Sequence, residues 1–304
     1  MEYVLKTNSL CKSYGGFRAL NGVSMSVPKG AIYGFIGKNG AGKTTFIRII
    51  CGLQEPTSGD YVLYGKNNTD KDIVKSRRRM GAIVETPSIY LDMTAEDNLK
   101  TQYRIFGLPS FDGLNDILKL VGLENTAKKK AKHFSLGMRQ RLGIAIALVG
   151  DPDFLILDEP VNGFDPQGIV EIRELILKLN HEKQITVLIS SHILDELSRL
   201  ATHYGFIDKG RIIKEITANE LENVCRKCVR VEVTNVKALA VLLDELEIKY
   251  NIISDKTVDI FKKINVSKLV MLLSKRSCEV ISMTERDENL ESYFINLIGG
   301  VTYE

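Results

Sequence analysis

The sequence predicts an α/β protein: a parallel sheet with helices on both faces, followed by a smaller α+β unit. Three observations carry this. "IYGFI" leads through a glycine-rich turn into "KTTFIRII", so residues 31–50 read as strand, loop and helix. The apolar runs "FLILDEP" and "ITVLISSH" read as strands buried on both faces, with a helical stripe of Ile172, Leu175, Ile176 and Leu179 between them. Beyond Thr217 the order becomes strand, helix, two short strands, helix, strand and a last helix, the split βαββαβ pattern of a ferredoxin-like unit.

Within the first part, residues 93–149 turn helical, with Thr94 and Asp97 spaced as a capping box and Leu142, Ala145, Ile146 and Val149 along one face. The sheet closes at "GFIDKGRIIKEI", where Asp208-Lys209-Gly210 resembles a hairpin turn. In the second part "VRVEV" alternates as a half-exposed strand, and Val236, Leu239, Ala240, Leu243 and Leu246 form a helical stripe. Strand-like runs at 250–253 and 257–261 follow, then a stripe of Val266, Leu269, Val270 and Leu273, the strand "EVISM", and a helix carrying Leu290, Tyr293, Phe294 and Leu297. The expected domains are 1–217 and 218–304.

Composition narrows the function. With 44% hydrophobic and 26% charged residues, the chain of 304 has an ordinary globular profile. A net charge of +3 is too small to point to a nucleic acid, and Arg77-Arg78-Arg79 and Lys128-Lys129-Lys130 read as solvated faces. No apolar run reaches the ~18 residues of a membrane span, and "MEYVLKTNSL" lacks the order of a signal peptide. A cytoplasmic chain that meets a membrane only through a partner is expected. The five cysteines fit reduced thiols; Cys225 and Cys228 have the spacing of a metal motif, but only Cys278 lies near and no histidine follows.

Two motifs carry chemistry. "GKNGAGKT", Gly37 to Thr44, matches G-x-x-x-x-G-K-[ST] between a strand and a helix. Gly40 and Gly42 let backbone amides curl around phosphate oxygens, Lys43 reaches the β- and γ-phosphates, and Thr44 offers a hydroxyl to Mg²⁺. Asn39 and Thr45 complete the candidate nucleotide-binding set. In "LILDEP" a buried strand ends in Asp158, placed to hold Mg²⁺ through its water shell, and Glu159, placed to polarise the attacking water. Neighbours on a strand point opposite ways, yet at its carboxyl edge both can face a ligand.

With "FSLGMRQRL" between those motifs, "NGFDP" after them and "SSHILDE" further on, about two-thirds of the chain resembles the ATPases of ABC transporters. The resemblance implies an antiparallel N-terminal sheet, a helical subdomain at about 88–150, and ATP with Mg²⁺ as ligands. It implies a head-to-tail dimer of two copies beneath a separate permease at the inner face of the membrane. Ser135 and Gly137 would cap the partner's γ-phosphate, Asp165 would cross toward the partner's site, His192 would contact the γ-phosphate and attacking water, and Tyr14 would stack on adenine. Leu136, Met138 and Phe164 depart from the usual glycine, glutamine and leucine of the family.

Glu85 stands where most of the family has a glutamine that touches Mg²⁺ and leads into the permease-facing surface. With "SLGMR" and the terminal "LESYFINLIGG" it resembles the subgroup of bacitracin resistance and lantibiotic immunity, implying a permease that removes antimicrobial peptides. Three roles stand open for the acid: direct binding of Mg²⁺, a bond to a basic group of the permease, or a plain exposed loop residue. The shared cassette also leaves open another exporter, an importer, or a soluble ATP-driven switch on ribosomes or DNA. A GTPase is disfavoured, because no Asn-Lys-x-Asp motif occurs.

Overall fold

The computed structural model describes residues 2–225, 228–261, 265–286 and 290–299, and the chain divides into two compact units, one ending at Ala218 and one beginning at Asn219. The first unit opens with β1 (Tyr3–Tyr14), β2 (Phe17–Val23), β3 (Ser26–Pro28), β4 (Ile32–Ile36) and α1 (Lys43–Ile50). Next come β5 (Ser58–Leu63), β6 (Lys66–Asn67), α2 (Ile73–Arg77) and β7 (Met80–Ile83). A helical excursion of α3 (Ala95–Phe106), α4 (Leu114–Leu120) and α5 (Leu136–Ala147) separates β7 from β8 (Phe154–Asp158). The chain returns through α6 (Pro166–Lys183), β9 (Thr186–Ser191), α7 (Leu194–Ser198), β10 (His203–Asp208) and β11 (Arg211–Thr217).

The central sheet has the order β11-β10-β4-β9-β8-β7, parallel except for the β10–β11 hairpin. Every residue of β4, β8 and β9 is buried, which is why their sequences run largely apolar without alternation, the polar Asp158, Ser190 and Ser191 standing at the carboxyl ends of β8 and β9. A second, antiparallel sheet has the order β2-β1-β5-β6, with β3 on β1. Phe46 and Ile50 of α1 share one core with Leu5 and Tyr61 of the second sheet and with Phe35 and Phe154 of the first. The helix that starts at the phosphate loop is thereby clamped by both sheets.

The β10–β11 turn places Lys209 and Gly210 at φ 46° and 73°, as a two-residue hairpin requires. The Gly210 amide donates to the Ala41 carbonyl at 2.9 Å, so the turn buttresses the phosphate loop. Gly37 lies against the same hairpin: a Cβ there would come 2.6 Å from the Ile207 carbonyl oxygen. Gly37→Ala is expected to destabilise the chain by about 1–3 kcal/mol. Thermal unfolding would register it, and an unchanged midpoint would refute the close approach.

Thr94 caps α3 by accepting the Asp97 amide at 3.1 Å. The Asp97 carboxylate accepts the Thr94 hydroxyl at 2.7 Å. Helix α5 rides on β7 without clearance: a Cβ on Gly81 would sit 2.1 Å from the Ala147 carbonyl, and one on Gly143 would sit 2.5 Å from Pro87. The arginine run at 77–79 is not a plain solvated face. Arg77 donates to the Tyr61 hydroxyl, while Arg79 pairs with Asp153 and lies 3.9 Å over the Tyr64 ring. Only Arg78 is left as the simple exposed cation of the run.

Helix α8 (Ala218–Val224) starts on the last residue of the first unit, and the second unit continues with β12 (Cys228–Val233), α9 (Val236–Glu245), β13 (Tyr250–Ile252), β14 (Thr257–Ile260), α10 (Val266–Ser274), β15 (Val280–Arg286) and α11 (Leu290–Ile298). Its antiparallel sheet, β13-β14-β12-β15, is ferredoxin-like. Val231, Val258, Leu239, Leu243, Leu269 and Leu273 make the core. The stripe on α9 includes Leu242 at 2% exposure, whereas Leu246, past the helix end, is 38% exposed. Val266 and Val270 of α10 are also exposed, against the expectation of a full stripe. Arg230 and Asp259, neighbours in the sheet, pair through two bonds of 2.6 and 2.7 Å. Two residues between Cys225 and Cys228, and Gly300 of the terminal motif, lie outside the described residues.

Candidate nucleotide site

Parallel register sets Ile36 beside Ser191, Asp158 beside Ser190, and Leu157 beside Ile83. The segments that begin at Gly37, Glu159, His192 and Val84 therefore leave the sheet at one edge, the carboxyl edge where open α/β sheets bind ligands. Gly40 and Gly42 have φ of 79° and 109°, and Gly42 caps α1 without a side chain. The first-turn amides of α1 are thus left for a ligand. Asn39 is exposed on the loop, while Thr44 and Thr45 are half-buried in the first turn.

Lys43 is the buried cation of this edge, 5% exposed. Its Nζ donates to the Gly37 carbonyl at 2.6 Å and lies 3.1 Å from Glu159 Oε1. Glu159 Oε2 sits 2.8 Å from His192 Nδ1. One carboxylate thus bridges the phosphate-loop lysine and the histidine. Glu159 reaches this position through a left-handed φ of 50°, which breaks strand alternation and turns it to the same edge as Asp158.

Ser190 holds the pair together and was not legible as a site residue. Its hydroxyl donates to Asp158 Oδ1, and its Oγ and carbonyl accept the Glu159 amide at 3.0 and 3.1 Å. The available signal was a polar "SS" closing an otherwise apolar strand before His192. Asp158 is 1% exposed, and its Oδ2 is buried without a hydrogen-bond partner among the described residues. Burial pushes the Cys51 thiol up to about 12, against the opposing pull of Arg77 and with a smaller push from the Asp158 charge.

The remaining candidates form other groups. Ser135 caps α5, accepting the Met138 amide at 3.2 Å, with Gly137 in the first turn and Leu136 exposed. Asp165 caps α6, accepting the Gly168 amide at 2.9 Å, and the Phe164 ring lies beside Gly137. Tyr14 pairs with Phe17 at the tip of the β1–β2 hairpin and donates its hydroxyl to Gln54. Glu85, at φ 62°, accepts from Arg48 Nη2 at 2.8 Å.

Arg173 of α6 pairs with Glu196 of α7 at 2.9 Å, the side chains 14% and 19% exposed. The helix after Asp165 is thereby pinned to the helix after His192. Arg173→Met strands the Glu196 carboxylate and is expected to cost about 1.5–3 kcal/mol in urea unfolding. A midpoint equal to the parent's would discount the pin.

A strand-edge phosphate loop, a bridging carboxylate and a helical excursion with a capped inner helix define an ATP-binding cassette. The chain belongs to the ABC transporter ATP-binding family: the ABC transporter family model matches residues 20–162. It is 40% identical over 307 residues to the bacitracin transport ATP-binding protein BcrA of Bacillus licheniformis, covering 99% of each chain. It is 45% identical over 221 residues to the lantibiotic transport ATP-binding protein SrtF of Streptococcus pyogenes, covering 73% of this chain and 94% of that one. The structure of cbiO1 from Clostridium perfringens matches with a TM-score of 0.66 at 27% identity, over 73% of this chain and 92% of that one. The dimeric cassette MJ0796 matches at 0.64 and 26% identity, over 70% of this chain and 98% of that one. The chain is thus an ATP-binding, ATP-hydrolysing subunit coupled to transport. Among the described residues no helix is long and apolar enough to cross a membrane.

Proposed function

We propose that two copies of this chain power a separate permease that removes bacitracin- or lantibiotic-type peptides from the cell surface. The observation that carries the reading is the extent of the likeness to BcrA, which runs through the second unit as well as the cassette. The chain sits at the inner face of the membrane through that permease. ATP binds between the phosphate loop of one copy and Ser135 and Gly137 of the other, with Asp165 near the junction and Tyr14 against adenine. Lys43 exchanges the Glu159 carboxylate for the β- and γ-phosphates. Glu159, freed from Lys43, accepts a proton from the attacking water, and His192 orients water and γ-phosphate. The Thr44 hydroxyl and the unpartnered Asp158 Oδ2 form a hard oxygen set that fits Mg²⁺, which when bound neutralises charge on the phosphates.

Deleting the gene is expected to raise sensitivity to bacitracin-like or lantibiotic peptides, and a Glu159→Gln copy should not restore resistance. Unchanged sensitivity across such a panel, with the permease expressed, would overturn the peptide assignment and leave the ATPase intact.

A further inference from the structure

The acid at position 85 has a partner inside its own chain. Glu85 leaves β7 one residue beyond Val84, at the sheet edge that carries Asp158 and Glu159, yet its side chain is 56% exposed and bound to Arg48. Asp158 at that same edge is 1% exposed. Arg48 stands five residues after Lys43 on α1, about 7.5 Å further along the helix axis from its phosphate-binding end. The pair therefore draws the carboxylate along α1 instead of into the buried edge.

We propose that Arg48 is the positioning residue of the loop after β7: its ion pair holds Glu85 off the metal-facing edge, and releasing it lets the carboxylate turn inward. The inference rests on the nucleotide-site reading above. Both partners are solvated and Glu85 holds a left-handed φ, so the held state is only weakly favoured and is readily exchanged. An uncharged glutamine at 85 would make a weaker bond to the guanidinium and have less to be held by. The same loop carries Pro87, seated on Gly143 of α5, the helix capped by Ser135.

The test uses the full chain carrying Glu159→Gln to suppress hydrolysis, with ATP present and Mn²⁺ as a paramagnetic probe whose free fraction is read by electron resonance against a protein-free ATP blank, so that Mn²⁺ held by ATP alone is subtracted. Arg48→Gln is expected to tighten Mn²⁺ binding by about two- to fivefold, the range of an exposed ion pair. Arg48→Lys, which keeps the charge, should stay near the parent. In a Glu85→Gln background Arg48→Gln should have no effect, which separates release of the carboxylate from simple loss of a positive charge. Unchanged affinity with Glu85 present, or an equal shift with glutamine at 85, would overturn the positioning role. Failure of the parent to bind Mn²⁺ with ATP at all would instead overturn the nucleotide-site reading.

Discussion

Glu159→Gln is expected to lower ATP turnover by about 10²–10⁴-fold while tightening ATP binding. The loss follows from the amide, which keeps size and hydrogen bonds but cannot take a proton from water. The gain follows from geometry. Lys43 Nζ is 3.1 Å from Glu159 Oε1, so a phosphate that reaches the ammonium competes with a carboxylate. An amide competes less for the ammonium and removes a negative charge that would face the γ-phosphate. Steady-state phosphate release and equilibrium titration with a fluorescent ATP analogue separate the two effects. Turnover near that of the parent would remove Glu159 from the chemistry, and weaker binding would show that it does not compete for Lys43.

Lys43→Ala should act on the other axis, weakening ATP binding by roughly 10–100-fold, as expected when charge-assisted bonds to phosphate are lost. The substitution also leaves the Glu159 carboxylate facing the nucleotide with His192 but no lysine beside it, so repulsion adds to the loss. Turnover falls with it, in contrast to Glu159→Gln, where affinity and rate part company. The same analogue titration checks this, and unchanged affinity would count against the phosphate-loop assignment.

The buried strands and the phosphate loop were legible because their physics is local. A strand covered on both faces runs apolar without alternation, as β4 and the bodies of β8 and β9 do; the polar exceptions, Asp158, Ser190 and Ser191, stand where β8 and β9 end at the site. The order of strands was not, since periodicity says nothing of which neighbour a strand chooses. Nor does "DEP" announce that Glu159 takes a φ of 50°, on which its place beside Asp158 depends. The partner of Glu85 lies 37 residues away on α1, a pairing set by how helix and loop meet in three dimensions. Helix α8 passed unread because Leu221 is its one buried residue and makes no stripe. On α9 the apolar spacing ran on to Leu246, but the helix stops at Glu245 and the side chain turns to solvent.

The seating of α5 gives the cassette a mechanical advantage. Pro87 presses on Gly143 with no slack, and from Gly143 back to Ser135 the helix extends about 12 Å. A tilt of about 10° at that fulcrum would swing the Ser135 end by roughly 2 Å, enough to carry a hydrogen bond from its optimum to beyond reach. The loop of Glu85 and Pro87 thus lies at the short arm of such a lever, and a nudge too small to disturb the sheet would be geared up at the far end into contact or its loss.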